Sequence, residues 1–229
     1  MKLAKTLTIA NKTYELVAEE VWLDANSAGR ASFTVDTLLD EIKPFQAVAL
    51  DIGYTQHGHE SRLFMGYIES ATPKDRRQSV LFCREFVGVL ANPLPLNLRH
   101  PTLRDVLTAV YDKSGVNFAL PDAPYAQAKI PHFANIGSGY HALMHIGIAF
   151  KVADYFWQQQ ANGVVFVGSW HDSAWPDRDI DLPDDWFTDQ YSQSGQIPAL
   201  PSLRPGAVVN GQRVKSLRFQ GNFMTVGWV

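Results

Sequence analysis

The apolar residues in the first ninety positions recur with a period of two, and this pattern constrains the fold more than any other feature of the chain. In RASFTVD, at 30–36, Ala31, Phe33 and Val35 alternate with more polar side chains. The same spacing returns in AVALDI at 47–52. Because successive side chains of an extended strand point to opposite faces, this period predicts strands with one buried face.

Turn-forming residues divide this region into short segments. TLTIANKTYEL at 6–16 reads as two strands joined by an Asn-Lys turn, and a polar loop at 54–60 joins the arms of a long hairpin. A further strand is predicted in RRQSVLFCREF at 76–86. Several short antiparallel strands with turns at close spacing indicate a small barrel or sandwich.

A proline-rich stretch, ANPLPLNLRHP at 91–101, follows these strands. Its three prolines, at 93, 95 and 101, are a density that neither a helix nor a central strand tolerates. We therefore expect a domain boundary here and a first domain at 1–93, built as a β-barrel.

Two helices are predicted beyond the prolines. The first enters at Thr102, carries apolar residues at helical spacing and ends at Gly115. The second begins near Ser138, whose hydroxyl can cap the first free backbone N–H groups, and runs to about Ala149.

A hairpin follows the second helix. ADYFWQQQ and VVFVGSW flank Asn162-Gly163, a pair that readily takes the positive φ angles of a tight turn. Two helices plus this hairpin make a small α/β domain at 94–171. Residues 172–229 form an acidic irregular segment followed by a returning C-terminal β segment, a partial second barrel. The predicted fold class is α+β and β-rich, with a tube-like β-barrel domain, the small α/β domain and the returning β segment.

Composition excludes several classes of protein. Hydrophobic residues make up 46% and charged residues 19% of the 229, the balance of a chain that folds. A net charge of −3 gives no general attraction to nucleic acid. The sequence contains no apolar run of 18 residues and begins without a signal-peptide pattern, so we expect synthesis in the cytoplasm and no membrane span. The single cysteine, Cys83, excludes an internal disulfide and is expected to be an inert strand residue.

Two histidines of the second predicted helix, His141 and His145, are four residues apart and could share one zinc ion. Ala142 stands where a zinc protease carries its general base. Apolar neighbours, among them Met144 and Ile148, favour a packing surface with imidazoles that reach solvent.

Two loops carry other candidate metal ligands. His57, His59 and Glu60 lie in the predicted hairpin loop, where spacing fixes no third ligand and a polar loop tip is the simpler reading. The aspartates 177, 179 and 181 begin with the spacing of a calcium loop, but Leu182 and Thr188 occupy the positions of its glycine and glutamate. No cofactor, metal site or catalytic residue is predicted.

Three short patterns, taken in this order along the chain, resemble the baseplate hub or tail-tip hub proteins of tailed phages, a family related to the hub part of type VI secretion spikes. The first is F-x-G-x-I, the second T-L-x-x-V-L and the third L-x-P-G-x-x-V. The residues that carry them are Phe64, Gly66 and Ile68, then Thr102, Leu103, Val106 and Leu107, then Leu203, Pro205, Gly206 and Val209.

This resemblance implies a homotrimeric ring of tube-like barrels at the end of a tail tube. The protein would have no catalytic centre, would lie in the virion tail, and would contact a tube or distal tail protein above and a spike or fibre below. DNA would pass through its channel without specific binding. The C-terminal half is shorter than is usual in the family, which leaves the second barrel incomplete or supplied from elsewhere.

The acidic segment is the predicted partner surface. Its candidate residues are Trp175, Asp177, Asp179, Asp181 and Trp186, since tryptophans in irregular segments often anchor interfaces. Packing beneath a long loop is the alternative role for these tryptophans. Two other functions stay open: a metal-dependent or cell-wall hydrolase using His57, His59 and an aspartate, and a monomeric carbohydrate-binding module using the tryptophan loop.

Overall fold

A computed structural model describes residues 2–38 and 42–228 of the chain. The chain divides into two compact units. The first, which we call the sheet unit, comprises Met1–Phe86 and Arg178–Val229, and the second, the helix unit, comprises Val87–Asp177.

The sheet unit contains two groups of strands. The N-terminal group is β1 (Leu3–Ile9), β2 (Lys12–Tyr14), β3 (Leu16–Asp24), β4 (Arg30–Val35), β5 (Ala47–Tyr54), β6 (Ser61–Pro73) and β7 (Ser79–Glu85). The helix unit follows, with β8 (Leu96–Arg99), α1 (Leu103–Ser114), β9 (Phe118–Ala119), α2 (Pro124–Gln127), β10 (His132–Asn135), α3 (Gly139–Ala149), β11 (Tyr155–Gln159) and β12 (Val165–Ser169). The C-terminal group of the sheet unit is β13 (Asp179–Ile180), β14 (Asp189–Tyr191), β15 (Ser194–Pro198), β16 (Val208–Val209), β17 (Gln212–Gln220) and β18 (Phe223–Trp228). The predicted α+β, β-rich fold class is confirmed.

One 13-stranded sheet organises the sheet unit. Its main path runs β14-β15-β18-β17-β3-β4-β7-β6-β5-β1-β2, and β16 joins β17 to β13. A single residue, Glu15, separates β2 from β3, and β2 pairs with β1 while β3 pairs with β4. The ladder path from β3 through β4, β7, β6, β5 and β1 therefore ends at β2, the strand that directly precedes β3 in the chain. Closure of these strands into a barrel stays a prediction.

The C-terminal strands continue this sheet. β17 lies antiparallel to β3, with Phe219 opposite Val21, and β18, β15 and β14 follow outward. Residues from both ends of the chain therefore share one core. The structure divides the chain into the two compact units given above. The division into three domains, at 1–93, 94–171 and 172–229, stays a prediction.

The alternating pattern of the sequence produces this core. Phe33 of β4 and Phe64 of β6 are fully buried and meet edge to face, with ring centroids 5.9 Å apart. Leu7, Leu50 and Ile52 are also fully buried. Burying a side chain of this size contributes about 1.5–3 kcal/mol.

The F-x-G-x-I motif requires glycine at position 66 for a steric reason. A Cβ added at Gly66 would lie 1.8 Å from the carbonyl oxygen of Arg84 in the adjacent strand β7. Real Cβ atoms do not approach backbone this closely, so β6 and β7 can keep their spacing only with glycine at this position.

The helix unit confirms the predicted helices and hairpin. Thr102 begins α1 with a capping box, accepting a hydrogen bond from the Asp105 amide, and Gly115 ends it at φ 72°. Ser138 begins α3 with a second capping box, formed with His141. β11 and β12 are antiparallel, as the Asn-Gly turn predicts.

Other elements of the helix unit were not predicted. Leu96–Arg99, inside the proline-rich stretch, forms β8 and pairs with β10 in a two-stranded sheet. Neither strand is central, which is how β8 tolerates its flanking prolines. The short helix α2 carries Pro124 in its first turn, where the absent N–H costs nothing.

Candidate functional site

The five residues of the predicted partner surface fall in both units. Trp175 and Asp177 belong to the helix unit, whereas Asp179, Asp181 and Trp186 belong to the sheet unit. The three aspartates are exposed, Trp175 is half-buried, and Trp186 is 40% exposed. The role of these residues in binding a partner stays a prediction.

The sheet-unit part of this segment has a defined conformation. Asn210 clamps it by accepting a hydrogen bond from the Leu182 amide at 2.7 Å and donating one to the Leu182 carbonyl at 3.0 Å. Strand β13, which begins at Asp179, pairs in parallel with β16. Asp179 therefore lies on an ordered strand, and Asp181 follows that strand directly.

Strand β14, which forms one end of the strand order, follows along the chain. Phe187 packs edge to face against Trp228, at 6.3 Å between ring centroids, and anchors the start of β14 to β18. Tyr191 at the other end of β14 is 70% exposed. Three exposed aspartates lie on or beside this strand, at 184, 185 and 189. The sheet therefore ends in an acidic strand flanked by exposed aromatic rings.

The histidines of α3 are exposed and stacked. The rings of His141 and His145 lie 6.5 Å apart between centroids, and Nδ1 of His141 accepts a hydrogen bond from the Ser138 amide at 3.3 Å. Helix capping therefore occupies one of the imidazoles. The prediction that Met144 and Ile148 belong to a packing surface around these histidines was wrong, because the two side chains are 55% and 75% exposed.

The opposite face of α3 carries the packing. Ala142, Leu143, Ile146 and Gly147 are its buried residues. A Cβ added at Gly147 would lie 2.5 Å from the Tyr155 ring, so the helix packs closely on β11. The exposed face of α3 carries the apolar Met144 and Ile148 beside the two histidines, so the sequence pattern could not separate its buried side from its exposed one.

The loop with His57, His59 and Glu60 borders an open cavity of about 440 Å³ that is also lined by Tyr54. The side chain of His57 lies outside the described part of the structure. Within the described residues, no group of three or more His, Cys, Asp or Glu side chains is arranged to hold a metal ion. The loop has one tight backbone contact, since a Cβ on Gly53 would lie 2.3 Å from the His59 carbonyl.

A buried polar cluster in the sheet unit was missed at the sequence level. Arg204 donates hydrogen bonds to the Leu63 carbonyl at 2.8 Å and to the Glu85 carboxylate at 3.2 Å. The second oxygen of Glu85 accepts from the Gly29 amide at 2.7 Å. Burial raises the pKa of Glu85 to about 7, although Arg204 and the Gly29 amide act in the opposite direction.

This cluster has a structural role rather than a chemical one. It is enclosed on all sides, so no substrate reaches the carboxylate, and it joins the C-terminal segment to β6 and β7. Cys83, on the same strand as Glu85, is fully buried, and burial raises the pKa of its thiol. Cys83 is therefore a buried strand residue with an unreactive thiol, in agreement with the inert strand residue that the sequence predicted.

None of the helices among the described residues combines the length and apolarity that a membrane crossing requires.

A scan of known protein families finds none that matches the chain. The chain is 33% identical over 222 residues to an uncharacterized 58.7 kDa protein of Haemophilus phage HP1. This alignment covers 97% of the chain, and the chain spans 41% of the length of that relative.

Solved structures of phage tail proteins share the fold. The 43 kDa tail protein of prophage MuSo2 from Shewanella oneidensis superposes with a TM-score of 0.72 at 11% identity, covering 100% of this chain and 97% of that one. A tail protein from Neisseria meningitidis gives 0.69 at 13% identity, covering 100% and 96%. A component of the Escherichia coli type VI secretion system, described as similar to tail proteins of bacteriophage T4, gives 0.64 at 12% identity, covering 97% and 76%. The resemblance inferred from the sequence is confirmed at the level of the fold.

Proposed function

We propose that this chain is a structural protein of a phage tail, a baseplate or tail-tip hub. Three copies form a ring that joins the tail tube to the tip or spike and surrounds the channel through which DNA passes. The observation that carries the proposal is the extent of the fold likeness, which includes all of this chain and nearly all of two tail proteins. The relative in phage HP1 supports the same setting.

The chemistry of the described residues suits assembly rather than catalysis. Glu85 and Cys83, whose pKa values are strongly raised by burial, are both buried and serve the core. Enzymes place such groups in clefts that substrates can reach. In the proposed role the chain catalyses no reaction and takes no cofactor.

The exposed aspartates of the acidic segment fit a channel lining. Carboxylates repel the phosphates of passing DNA and keep it from adhering to the wall. Asp177, Asp179 and Asp181 are all exposed and available for this purpose. The tube or distal tail protein above and the spike or fibre below are the proposed partners, and the virion tail is the proposed location.

Deletion of the gene in the phage that encodes it tests this function. We expect particles without complete tails, visible by negative-stain electron microscopy, and recovery of tails when the gene is supplied in trans. In wild-type virions, an antibody against the chain should label the end of the tail tube. Normal tails after deletion, together with absence of the chain from purified virions, would contradict the proposal.

A further inference from the structure

Several strand segments of the sheet unit have a ladder on one side only within the described residues, and parts of β6 and β14 are two of them. β6 pairs with β5 as far as Tyr67 and with β7 as far as Pro73, so residues 69–73 have β7 on one side and no ladder on the other. β14 pairs with β15 and ends the strand order. Such segments present backbone N–H and C=O groups that can pair with another chain.

Exposed aromatic rings lie beside both segments. Phe45 is 79% exposed and stacks on Tyr67, just before the unpaired part of β6, at 6.1 Å between ring centroids. Tyr191 and Trp186, at β14, are 70% and 40% exposed. Large rings left in water beside an open strand are typical of surfaces that another protein covers.

The turn that follows the β6 segment is basic, whereas β14 and its flank are acidic. Within residues 69–73 the one charged side chain, Glu69, forms an ion pair with Arg84. The turn that follows β6 contains Lys74, Arg76 and Arg77, all exposed, with Asp75 as its one acidic residue. The guanidinium of Arg77 lies 3.5 Å from the carboxylate of Asp36. Lys74 and Arg76 are the other two cations of this turn. At β14, the exposed charges are the aspartates at 184, 185 and 189.

We propose that the two segments pair with each other between copies of the chain. The outer side of β6 at 69–73 pairs with β14 of the next molecule. The basic turn then faces the acidic strand, and the exposed rings of the two copies are covered together. The inference rests on the proposed function and names the contact by which its ring forms. Because the two surfaces differ, the contact is head to tail, and repetition closes a ring when the rotation between copies permits.

Cysteine cross-linking tests this contact directly. Ser70→Cys places a thiol on the outer part of β6 and Tyr191→Cys places one on β14, while the native Cys83 is buried and does not compete. With a short bismaleimide, we expect a covalent dimer when the two variants are mixed and monomers when each is treated alone. Asn222→Cys, exposed in the turn between β17 and β18, is the matched control and should not cross-link to Ser70→Cys.

Two results would overturn the proposal. A mixture that yields no covalent dimer shows that the edges do not meet. Dimers formed by Ser70→Cys alone or Tyr191→Cys alone show a two-fold contact between like edges. Labelling of the chain in virions does not depend on this reaction, so a failed cross-link with positive labelling rejects the contact and keeps the tail function.

Charge reversal supplies a second readout. Lys74→Glu with Arg76→Glu in the Ser70→Cys chain, or Asp184→Lys with Asp185→Lys in the Tyr191→Cys chain, should lower the cross-linking yield roughly fivefold at low salt. Mixing the two reversed chains restores opposite charges and should restore the yield. Loss in both single reversals without recovery in the mixture would contradict the proposed pairing.

Discussion

The guanidinium of Arg204 and the carboxylate of Glu85 form an ion pair, 3.2 Å apart, that is buried within the sheet unit. Arg204 comes from the C-terminal segment and Glu85 ends β7, so the pair fixes the late part of the chain onto the early part. The Leu63 carbonyl and the Gly29 amide complete the cluster. Its partners come from four separate segments, and it forms only when all of them are in place.

Replacing the arginine should destabilise the sheet unit strongly. Arg204→Ala leaves the Glu85 carboxylate buried without its cation, which typically costs about 3–5 kcal/mol. Urea denaturation followed by circular dichroism measures the loss. Arg178→Ala removes an exposed arginine and should change the free energy of unfolding by less than about 0.5 kcal/mol. Equal losses in the two variants would show that the buried ion pair contributes no more to the free energy of unfolding than an exposed arginine does.

The stability contributed by Glu85 should depend on pH with a defined sign. Its folded pKa is about 7, above the ordinary value of 4.5, so the folded state binds the proton more tightly than the unfolded state. The contribution is complete below pH 4.5 and is lost as the pH rises through 7. Relative to Glu85→Gln, the wild type should therefore lose up to about 3 kcal/mol between these values. Denaturation of both proteins across this range measures the difference, and parallel curves would refute the raised pKa.

Much of the local structure follows from the sequence, because its causes are local. Thr102 and Gly115 mark the limits of α1 through hydrogen bonds within one turn, and Asn162-Gly163 defines the β11–β12 hairpin through its own backbone preference. The phage tail resemblance rests on similarly short patterns. Gly66 shows why one of them works, since the glycine is required by the neighbouring strand.

What the sequence could not provide depends on contacts between distant residues. Arg204 and Glu85 are separated by 119 positions, and neither stands in a pattern that indicates burial. Met144 and Ile148 were expected to pack, but α3 carries apolar residues on its exposed face as well as on its buried one, and only its neighbours decide which face is covered. The C-terminal strands extend the sheet that the N-terminal strands form. The period of the apolar residues predicts strands, but it does not predict which strands pair.

The glycine of β6 offers a steric prediction. Gly66→Ala forces a Cβ into the Arg84 carbonyl and must separate β6 from β7, with an expected loss of about 3 kcal/mol or more. Thermal and urea unfolding measure it. Gly58→Ala is the matched control, because its φ is +67° and nothing lies within 4 Å of the added methyl group. That variant should lose about 1 kcal/mol from backbone strain alone. A loss at Gly66 no larger than at Gly58 would contradict the close strand contact.

The capping box of α1 leads to a prediction for the helix unit. The Thr102 hydroxyl accepts from the Asp105 amide at 3.2 Å, and the Asp105 carboxylate accepts from the Thr102 amide at 2.8 Å. Thr102→Ala removes the first of these bonds and should cost about 1 kcal/mol. Thr108→Ala, an exposed threonine within the same helix, should be neutral or slightly stabilising because alanine is the better helix former. Hydrogen exchange of the first-turn amides measures the effect, since their protection should fall in Thr102→Ala and persist in Thr108→Ala. Unchanged protection in Thr102→Ala would show that the cap does not hold the helix start.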